Sequence, residues 1–256
     1  MRLFVTGCTS SLVSVMLSQL NNIEIIEIKS KTSRRSKKMS FDKSSLNAFM
    51  ESDFILHCSW NMEERSKLES EKINVDGTIN FFNSLTPLQK KNFIFVSTVA
   101  AYPQTKSVYG MHKLKCEDYI ISNGGRVLKL GILYDPNSSE LLFLENIKSI
   151  AKKLPLIPNF SGKKKIYKIT YLENLDIYFR TIHKQKPNST YICTHTNAID
   201  FKELINKIIG IDKFIFYFPL NVGYFIYFII SKLFKNLKIN LDSFEYIKGM
   251  IKNVPR

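Results

Sequence analysis

The first 28 residues alternate strand, turn and helix patterns, and this alternation limits the fold more than any other feature of the chain. The apolar run 2–6 leads into a turn of small residues, after which apolar side chains recur at helical spacing over 12–20. A second apolar strand, Ile23 to Ile28, follows after two asparagines. Because two strands joined by a helix form a parallel βαβ unit, the chain is predicted to begin as a parallel α/β sheet.

The same alternation continues over the first 135 residues. Further strands are predicted at 54–56, 93–96 and 127–133. Helical patterns lie at 73–85 and 112–122. This order predicts a Rossmann-type α/β fold, a doubly wound parallel sheet whose ligands bind beyond the carboxyl ends of the strands. Side chains that carry chemistry are therefore expected just after Thr6, Ile28, His57 and Val96.

Beyond residue 135 the pattern loosens, and we expect a small lobe folded onto the sheet. Its predicted elements are a proline-containing loop at 154–158, strands at 166–171 and 191–194, and a helix at 200–209. The chain therefore divides into a sheet domain, 1–135, and a lobe with C-terminal helices, 136–256.

The segment 214–231 carries no charged side chain, and its length approaches the roughly 18–20 apolar residues that span a bilayer. Pro219, Asn221 and Gly223 interrupt it. A helix packed on the core, or one lying on a membrane surface beside the lysine-rich tail, fits this pattern better than a membrane span.

The formal charge of +15 is concentrated in two clusters, at 29–38 and 163–165. Neither cluster contains an aromatic platform of the kind that nucleic-acid-binding proteins interleave with basic residues, so nucleic acid is disfavoured as a partner. A solvated basic face is one explanation of the charge, and an anionic substrate or cofactor is the other. With 45% apolar residues in 256, the chain is long enough to bury a sizeable core.

The cysteines are scattered, and the N-terminus runs directly into a strand without a basic and apolar leader. A reduced, cytoplasmic protein is therefore expected, with buried thiols. No cluster of His, Cys and carboxylate residues has the spacing of metal ligands, so no metal site is predicted. The cysteines are Cys8, Cys58, Cys116 and Cys193.

The turn after the first strand has only part of a phosphate-binding fingerprint. Gly7 is its one glycine, and Ser10 and Val13 stand where a Gly-x-x-Gly-x-x-Gly pattern places the other two. Small residues in such a turn let backbone N–H groups and the next helix N-terminus approach a pyrophosphate. The motif is weak when taken alone.

A tyrosine and a lysine four residues apart, Tyr109 and Lys113, share one face of a predicted helix. The ammonium group can lower the pKa of the phenol and reach a cofactor ribose. A solvated helical pair is the alternative. The chemical interpretation gains support from Thr98, a hydroxyl residue at the predicted end of a strand, about a dozen residues upstream.

Together these motifs resemble the extended short-chain dehydrogenase/reductase family, also called the NAD-dependent epimerase/dehydratase family, over nearly the whole chain. The segments in the first domain that carry the resemblance are Thr6-Gly7, Phe41-Asp42, Leu56-His57-Cys58-Ser59, Asn74-Val75-Asp76-Gly77-Thr78, Ser97-Thr98 and Tyr109 to Lys113. Those downstream are Gly131-Ile132-Leu133-Tyr134, 154–162 and Tyr191-Ile192-Cys193.

The resemblance implies an NAD(P)-binding Rossmann domain at 1–135 and a substrate-binding lobe at 136–256. It implies that Tyr109 is the general acid/base, Lys113 its helper and ribose ligand, and Thr98 the hydroxyl that binds the reacting oxygen. The cofactor contacts that it implies are Gly7, Thr9, Ser10, Ser11, Leu12, Lys29, Arg34, Asp42, Cys58, Asn74, Tyr109 and Lys113. Capping or tethering a helix is the alternative role of Asn74. His57 and His112 are interpreted as packing residues, with solvent exposure the alternative for His112.

Departures from the family pattern reduce the number of reactions expected of this chain. Dehydratases of the family carry an Asp-Glu pair where this chain has Val99 and Ala100, so dehydration is disfavoured. Only ten residues separate Thr98 from Tyr109, a shorter connection than in most epimerases of the family, so a smaller substrate pocket is expected. Lys29, followed by Arg34 and Arg35, favours NADP over NAD, although NAD remains an alternative and surface charge is the other explanation.

We therefore expect reduction of a keto group on a nucleotide-linked sugar, such as a 4-keto-6-deoxyhexose, for surface polysaccharide. The first alternative is a 4-epimerase with tightly held NAD. Others are a non-catalytic NAD(P)-binding scaffold and a membrane-associated redox subunit. A homodimer formed through the two long helices, one of which carries Tyr109, is also implied by the resemblance.

Overall fold

The computed structural model describes residues 1–33, 38–62, 66–134, 157–159, 166–167, 169–194, 199–200, 202–203, 206 and 214–217. The strands up to residue 134 are β1 (Arg2–Thr6), β2 (Glu24–Ile28), β3 (Ser30–Ser33), β4 (Lys38–Phe41), β5 (Phe54–His57), β6 (Phe93–Thr98), β7 (Arg126–Leu130) and β8 (Ile132–Tyr134). Those that follow are β9 (Ile157–Asn159), β10 (Ile166–Tyr167), β11 (Ile169–Tyr171), β12 (Ser189–Cys193), β13 (Ile199–Asp200) and β14 (Ile215–Tyr217).

The helices, like the strands, are those of the described part of the chain. They are α1 (Ser11–Ser18), α2 (Lys67–Ser70), α3 (Asp76–Asn83), α4 (Pro87–Lys91), α5 (Val108–Ser122) and α6 (Leu175–Ile182). A π-helical turn, Glu71–Val75, joins α2 to α3, and short 3₁₀ turns cover Ser44–Ala48 and Leu172–Asn174.

Six parallel strands form the central sheet, in the order β12-β7-β6-β5-β1-β2. The strand order reverses between β1 and β5, because the chain first adds β2 on one side of β1 and later adds β5 on the other. Thr6 lies in register with both Ile28 and His57, so these three strand ends meet at one edge. The predicted Rossmann-type, doubly wound sheet is confirmed, and this edge is its switch point.

The inner strands β1, β5 and β6 are buried on both faces, which is why they read as largely apolar runs. Leu3 and Val5 point into one core cluster together with residues of α1 and α6, whereas Phe4 points into the other with residues of α3 and α5. The helices therefore cover both faces and bring the N-termini of α1 and α5 to the carboxyl edge of the sheet.

Several predicted elements differ in detail from those observed. The single strand predicted at 127–133 is two strands, because the chain breaks at Gly131, whose N–H donates to Oγ1 of Thr170 (2.8 Å). The predicted helix 73–85 begins earlier, at α2, and passes through the π turn. The helix predicted at 200–209 is wrong at its start, since Asp200 ends β13. Residues 202–203 and 206 are helical, and the others lie outside the described residues.

Part of the C-terminal half belongs to the main sheet. β12 pairs with β7 at its edge, and α6 packs on the face that α1 also covers. The uncharged segment 214–231 opens as a strand, since β14 pairs in parallel with β9, so the helix predicted there is wrong at 215–217. Residues 218–231 lie outside the described part. No helix among the described residues is both long and apolar enough to cross a membrane.

Candidate functional site

The turn after β1 is shaped by Gly7, whose φ of +84° is unfavourable for other residues. A Cβ atom at this position would lie 2.9 Å from the backbone nitrogen of Ser59, which follows β5. The N–H of Ser10 donates to the carbonyl of Gly7 (3.0 Å) and closes the turn at the start of α1. Glycine is therefore required here both for its backbone conformation and for the close approach of β5.

A buried polar cluster fixes this turn to β5. The Oγ1 atom of Thr6 accepts hydrogen bonds from the N–H groups of Cys58 (3.1 Å) and Ser59 (3.2 Å). Its own proton is therefore directed to Nδ1 of His57 (2.9 Å), and the Nε2–H of His57 donates to Thr78 (3.1 Å). Burial, together with the charge of Lys113, lowers the pKa of His57 to about 3, so this histidine is a neutral packing residue, as predicted.

The substitutions in the glycine fingerprint leave the turn open to solvent. Val13 is 4% exposed and packs in the core beneath α1, away from the surface of the turn. Thr9, Ser10 and Ser11 are exposed, and Leu12 is 40% exposed. The N-terminus of α1 is therefore accessible to an anionic group, which is the feature that a pyrophosphate requires.

Lys29 and Asp42 meet at the end of β2. Lys29 is exposed, and its carbonyl accepts a hydrogen bond from the N–H of Asp42 (2.9 Å). The carboxylate of Asp42 accepts from the N–H of Ser44 (3.0 Å). Hydrogen bonds from Ser44, assisted by Lys29 and Lys31, lower the pKa of Asp42. Arg34 and Arg35, the other predicted cations, lie outside the described residues.

Lys113 is 4% exposed, and its side chain reaches from α5 to strand β6. Its Nζ donates to the carbonyl of Val96 (2.8 Å) and lies 4.0 Å from the centroid of the Trp60 ring and 4.5 Å from that of Phe95. Burial lowers the pKa of Lys113 to about 8, against the opposing effects of Cys116, Cys58 and Glu117. The ammonium is held by a carbonyl and two aromatic faces.

Tyr109 begins the same helix and is half-buried. Its ring centroid lies 5.9 Å from Nζ of Lys113 and 5.8 Å from the ring of Trp60, in an edge-to-face arrangement. The Oγ atom of Ser107 caps the helix by accepting from the N–H of Gly110 (3.0 Å). The helix start is therefore fixed, and Tyr109 lies over the ammonium of Lys113.

Thr98 ends β6 and is 4% exposed. The segment that follows Thr98 packs closely against helix α5 at Gly110, since a Cβ atom at Gly110 would lie 2.5 Å from the carbonyl oxygen of Ala100. The structure thus brings Thr98, Tyr109 and Lys113 to the carboxyl end of β6, beside the switch point. A phenol, an ammonium and an aliphatic hydroxyl in this arrangement can protonate and bind a carbonyl oxygen.

On the side of the candidate site nearest β5, Asn74 holds the loop that carries Trp60. Asn74 is 1% exposed; its amide accepts from the N–H of Asn61 (2.7 Å) and donates to the carbonyl of Asn61 (3.0 Å). It therefore tethers the loop that carries Trp60, and its donation to Oγ of Ser70 (3.3 Å) ties it to its own helix, which is the alternative role predicted for it. Trp60 was not predicted as a site residue, although the position of the only tryptophan of the chain just after the motif Leu56 to Ser59 was a usable signal.

Two other predicted residues lie outside the reacting cluster. His112 is buried rather than solvent-exposed, and it packs between α5 and α2, with Nδ1 3.4 Å from Oγ of Ser70 and Nε2 3.8 Å from Glu71. Cys58 contributes its backbone N–H to Thr6, and burial raises the pKa of its thiol to about 12. This cysteine is therefore an unreactive part of the turn support.

The fold and the site define a Rossmann-type α/β protein whose candidate site lies at the carboxyl edge of the sheet, beside the switch point. No model of a known protein family matches the chain, and no curated protein matches its sequence. Solved structures do match it. Among them is a dTDP-4-dehydrorhamnose reductase from Clostridium acetobutylicum, with 17% identity, a TM-score of 0.61, and coverage of 86% of this chain and 84% of that one.

Two further matches carry ligands. A dTDP-4-dehydrorhamnose reductase from Bacillus anthracis in complex with NADP is 16% identical, with a TM-score of 0.63 and coverage of 86% of both chains. A UDP-glucose 4-epimerase from Thermotoga maritima with UDP-glucose is 14% identical, with a TM-score of 0.57 and coverage of 86% of both chains. At these identities the likeness establishes a shared fold.

Proposed function

We propose that the protein is a member of the extended short-chain dehydrogenase/reductase family and an NAD(P)-dependent oxidoreductase of nucleotide-linked sugars. The observation that carries the proposal is that Thr98, Tyr109 and Lys113 lie near the carboxyl end of β6, and that only β5 separates β6 from β1 and its glycine turn. Sheets of this kind bind their ligands at this edge. In this proposal residues 1–135 bind the dinucleotide and residues 136–256 the sugar.

The proposed reaction is reduction of a 4-keto-6-deoxyhexose for surface polysaccharide. Two of the structures with this fold are dTDP-4-dehydrorhamnose reductases, one of them in complex with NADP. Val99 and Ala100 are fully buried and apolar, so the segment after Thr98 offers no carboxyl group of the kind that dehydration needs. These two observations favour simple reduction.

When bound, the nicotinamide supplies the hydride that reaches the carbonyl carbon. Tyr109 gives its phenolic proton to the carbonyl oxygen, which becomes the hydroxyl of the product, and Thr98 donates a hydrogen bond to the same oxygen. Lys113 favours release of the phenolic proton through its positive charge. Its ammonium donates one hydrogen bond to the Val96 carbonyl, and in the proposed complex a ribose hydroxyl accepts another in place of a contact with an aromatic ring.

NADP is the proposed dinucleotide, because Lys29 is an exposed cation at the end of β2. In dinucleotide-binding sheets this position lies near the 2′ position of the adenosine ribose, where a cation favours a phosphate. The accessible N-terminus of α1 would hold the pyrophosphate. The proposed partners are therefore a nucleotide sugar and NADP, and nucleic acid is not among them. In this proposal the protein is also cytoplasmic and forms a homodimer through its long helices.

A 4-epimerase with tightly bound NAD is the second candidate, since a UDP-glucose 4-epimerase shares the fold. In that reaction NAD would accept the hydride from the sugar carbon and return it to the opposite face, and the same three side chains would take up and give back the hydroxyl proton. Dinucleotide that remains bound through purification would favour the epimerase. A requirement for added NADPH would favour the reductase.

Turnover of NADPH with dTDP-4-dehydrorhamnose tests the proposal. We expect NADPH oxidation by the wild-type protein, and a loss of about 10²- to 10⁴-fold in kcat for Tyr109→Phe with NADPH affinity retained. Tyr119→Phe is the matched control, because Tyr119 lies near the other end of α5, where its hydroxyl donates to Oδ1 of Asn83 on α3. A Tyr109→Phe variant as active as this control would contradict the assigned role of Tyr109.

A further inference from the structure

A buried carboxylate that the proposed chemistry does not use lies one helical turn beyond Lys113. Glu117 is 3% exposed, and its Oε1 atom accepts a hydrogen bond from the hydroxyl of Ser97. Its Oε2 atom lies 2.7 Å from Nζ of Lys129, on the neighbouring strand β7. The carboxylate therefore joins helix α5 to two strands of the sheet.

The two partners of Glu117 hold the chain on both sides of Thr98. Ser97 directly precedes it. Lys129 also donates to the carbonyl of Ala101 (2.7 Å), three residues after Thr98. One carboxylate and its cation thus fix both ends of the segment 97–101.

The segment between these two anchors is itself ordered by hydrogen bonds around Thr98. The carbonyl of Thr98 accepts from the N–H of Ala101 (3.1 Å), and its Oγ1 accepts from the N–H of Ala100 (3.2 Å). Ala100 in turn lies against Gly110, the neighbour of Tyr109. A shift of this segment would therefore move Thr98 relative to the phenol.

Burial raises the pKa of Glu117, and its contacts with Lys129 and Ser97 oppose that rise only in part. A buried ion pair of this kind is a poor source of stability, because the desolvation of both charges offsets their attraction. Its geometric effect is better defined: it specifies one arrangement of α5, β6 and β7. A role in positioning accounts for the buried charge where a role in stability does not.

We propose that Glu117, acting through Ser97 and Lys129, is a positioning residue that holds Thr98 in register with Tyr109 and Lys113. The inference rests on the proposed function for its consequence in catalysis, whereas its structural part stands independently. It predicts that loss of the carboxylate loosens the segment 97–101 even when no ligand is bound.

Amide hydrogen exchange of the ligand-free protein tests the structural part. We expect Glu117→Gln to speed exchange in 97–101 by about tenfold or more, while exchange in β1 stays unchanged. Asp118→Asn, on the exposed side of the same helix, is the matched control and should exchange like the wild type. Equal exchange of 97–101 in Glu117→Gln and the control would overturn the proposal.

Kinetics with NADPH and dTDP-4-dehydrorhamnose test the catalytic part. We expect kcat of Glu117→Gln to fall about 10- to 100-fold, with KM for NADPH changed less than about twofold, because misplacement by about 1 Å costs rate more than binding. The double variant Glu117→Gln with Lys129→Met removes the buried charge imbalance. It should regain stability without regaining kcat or slow exchange, whereas full recovery of kcat would overturn the positioning role.

Failure of the proposed function gives a different result. If the wild type neither binds NADPH nor turns it over, the family assignment fails, yet the exchange comparison still decides whether Glu117 fixes the segment. Faster exchange in the variant would then support the structural part. Unchanged exchange would reject it.

Discussion

Replacement of Lys113 by methionine should separate the stability of the protein from its activity. The side chain is buried, and burial lowers its pKa from 10.5 to about 8. At about 1.36 kcal/mol for each pKa unit, the charged form opposes folding by about 3 kcal/mol at neutral pH. Methionine has a similar length and retains the apolar contacts with Trp60 and Phe95.

The pH dependence gives the sharper test, because it isolates the charge. The pKa of Lys113 is lower in the folded than in the unfolded protein, so the unfolded protein binds more protons between about pH 8 and 10.5. The wild type should therefore gain about 2 kcal/mol of unfolding free energy relative to Lys113→Met between about pH 7 and pH 9.5. Near pH 7 the variant should be the more stable by about 1–2 kcal/mol, since the loss of the donor to Val96 offsets part of the gain.

Urea unfolding of both proteins at the two pH values measures this difference. Lys115→Met, which removes an exposed ammonium from the same helix, controls for the change in net charge. Lys113→Met should also lose turnover, because the ammonium that opposes folding is the one assigned a role in the reaction. If the stability difference between wild type and Lys113→Met is the same at both pH values, the buried ammonium does not have the environment described above.

Two further substitutions test the cofactor side of the site. Gly7→Ala should cost about 2–4 kcal/mol in urea unfolding and abolish NADPH binding, whereas Gly124→Ala, with φ of +95° but open space around it, should cost only about 1–2 kcal/mol. Equal losses of unfolding free energy in these two variants would show that the close approach of Ser59 to the turn adds nothing to the cost of Gly7→Ala. Lys29→Asp should weaken NADPH about tenfold and leave NADH within about twofold, as measured by titration, with Lys38→Asp as the control. Equal weakening of both dinucleotides would contradict the assignment of Lys29 to the 2′-phosphate.

The central sheet could be predicted because its inner strands, β1, β5 and β6, are buried on both faces. Runs such as 93–96 are apolar throughout, and their alternation with helical patterns leaves few arrangements. The hairpin of β3 and β4 was missed because its residues are mostly Ser, Thr and Lys, without an apolar alternation. Helix α6 had a readable pattern, since Leu175, Phe179 and Ile182 recur at helical spacing and are buried.

The site was predictable where it depends on local spacing. Tyr109 and Lys113 share a helix face because they are four residues apart. The position of the ammonium over Trp60 depends on a loop that Asn74 holds from another helix. The contact of Glu117 with strand β7 is likewise set by how the layers pack. Such contacts between distant parts of the chain leave no periodic signal in the sequence.

Trp60 provides the most direct measurement of the central claim, that this site binds a nicotinamide dinucleotide. It is the only tryptophan of the chain, and its ring lies against the ammonium of Lys113. Titration with NADPH should quench the indole emission and sensitise the nicotinamide emission, saturating at one dinucleotide per chain, with weaker binding to Lys113→Met. If neither NADPH nor NADH changes the emission of Trp60 and neither is retained by the protein, the enzymatic account is contradicted.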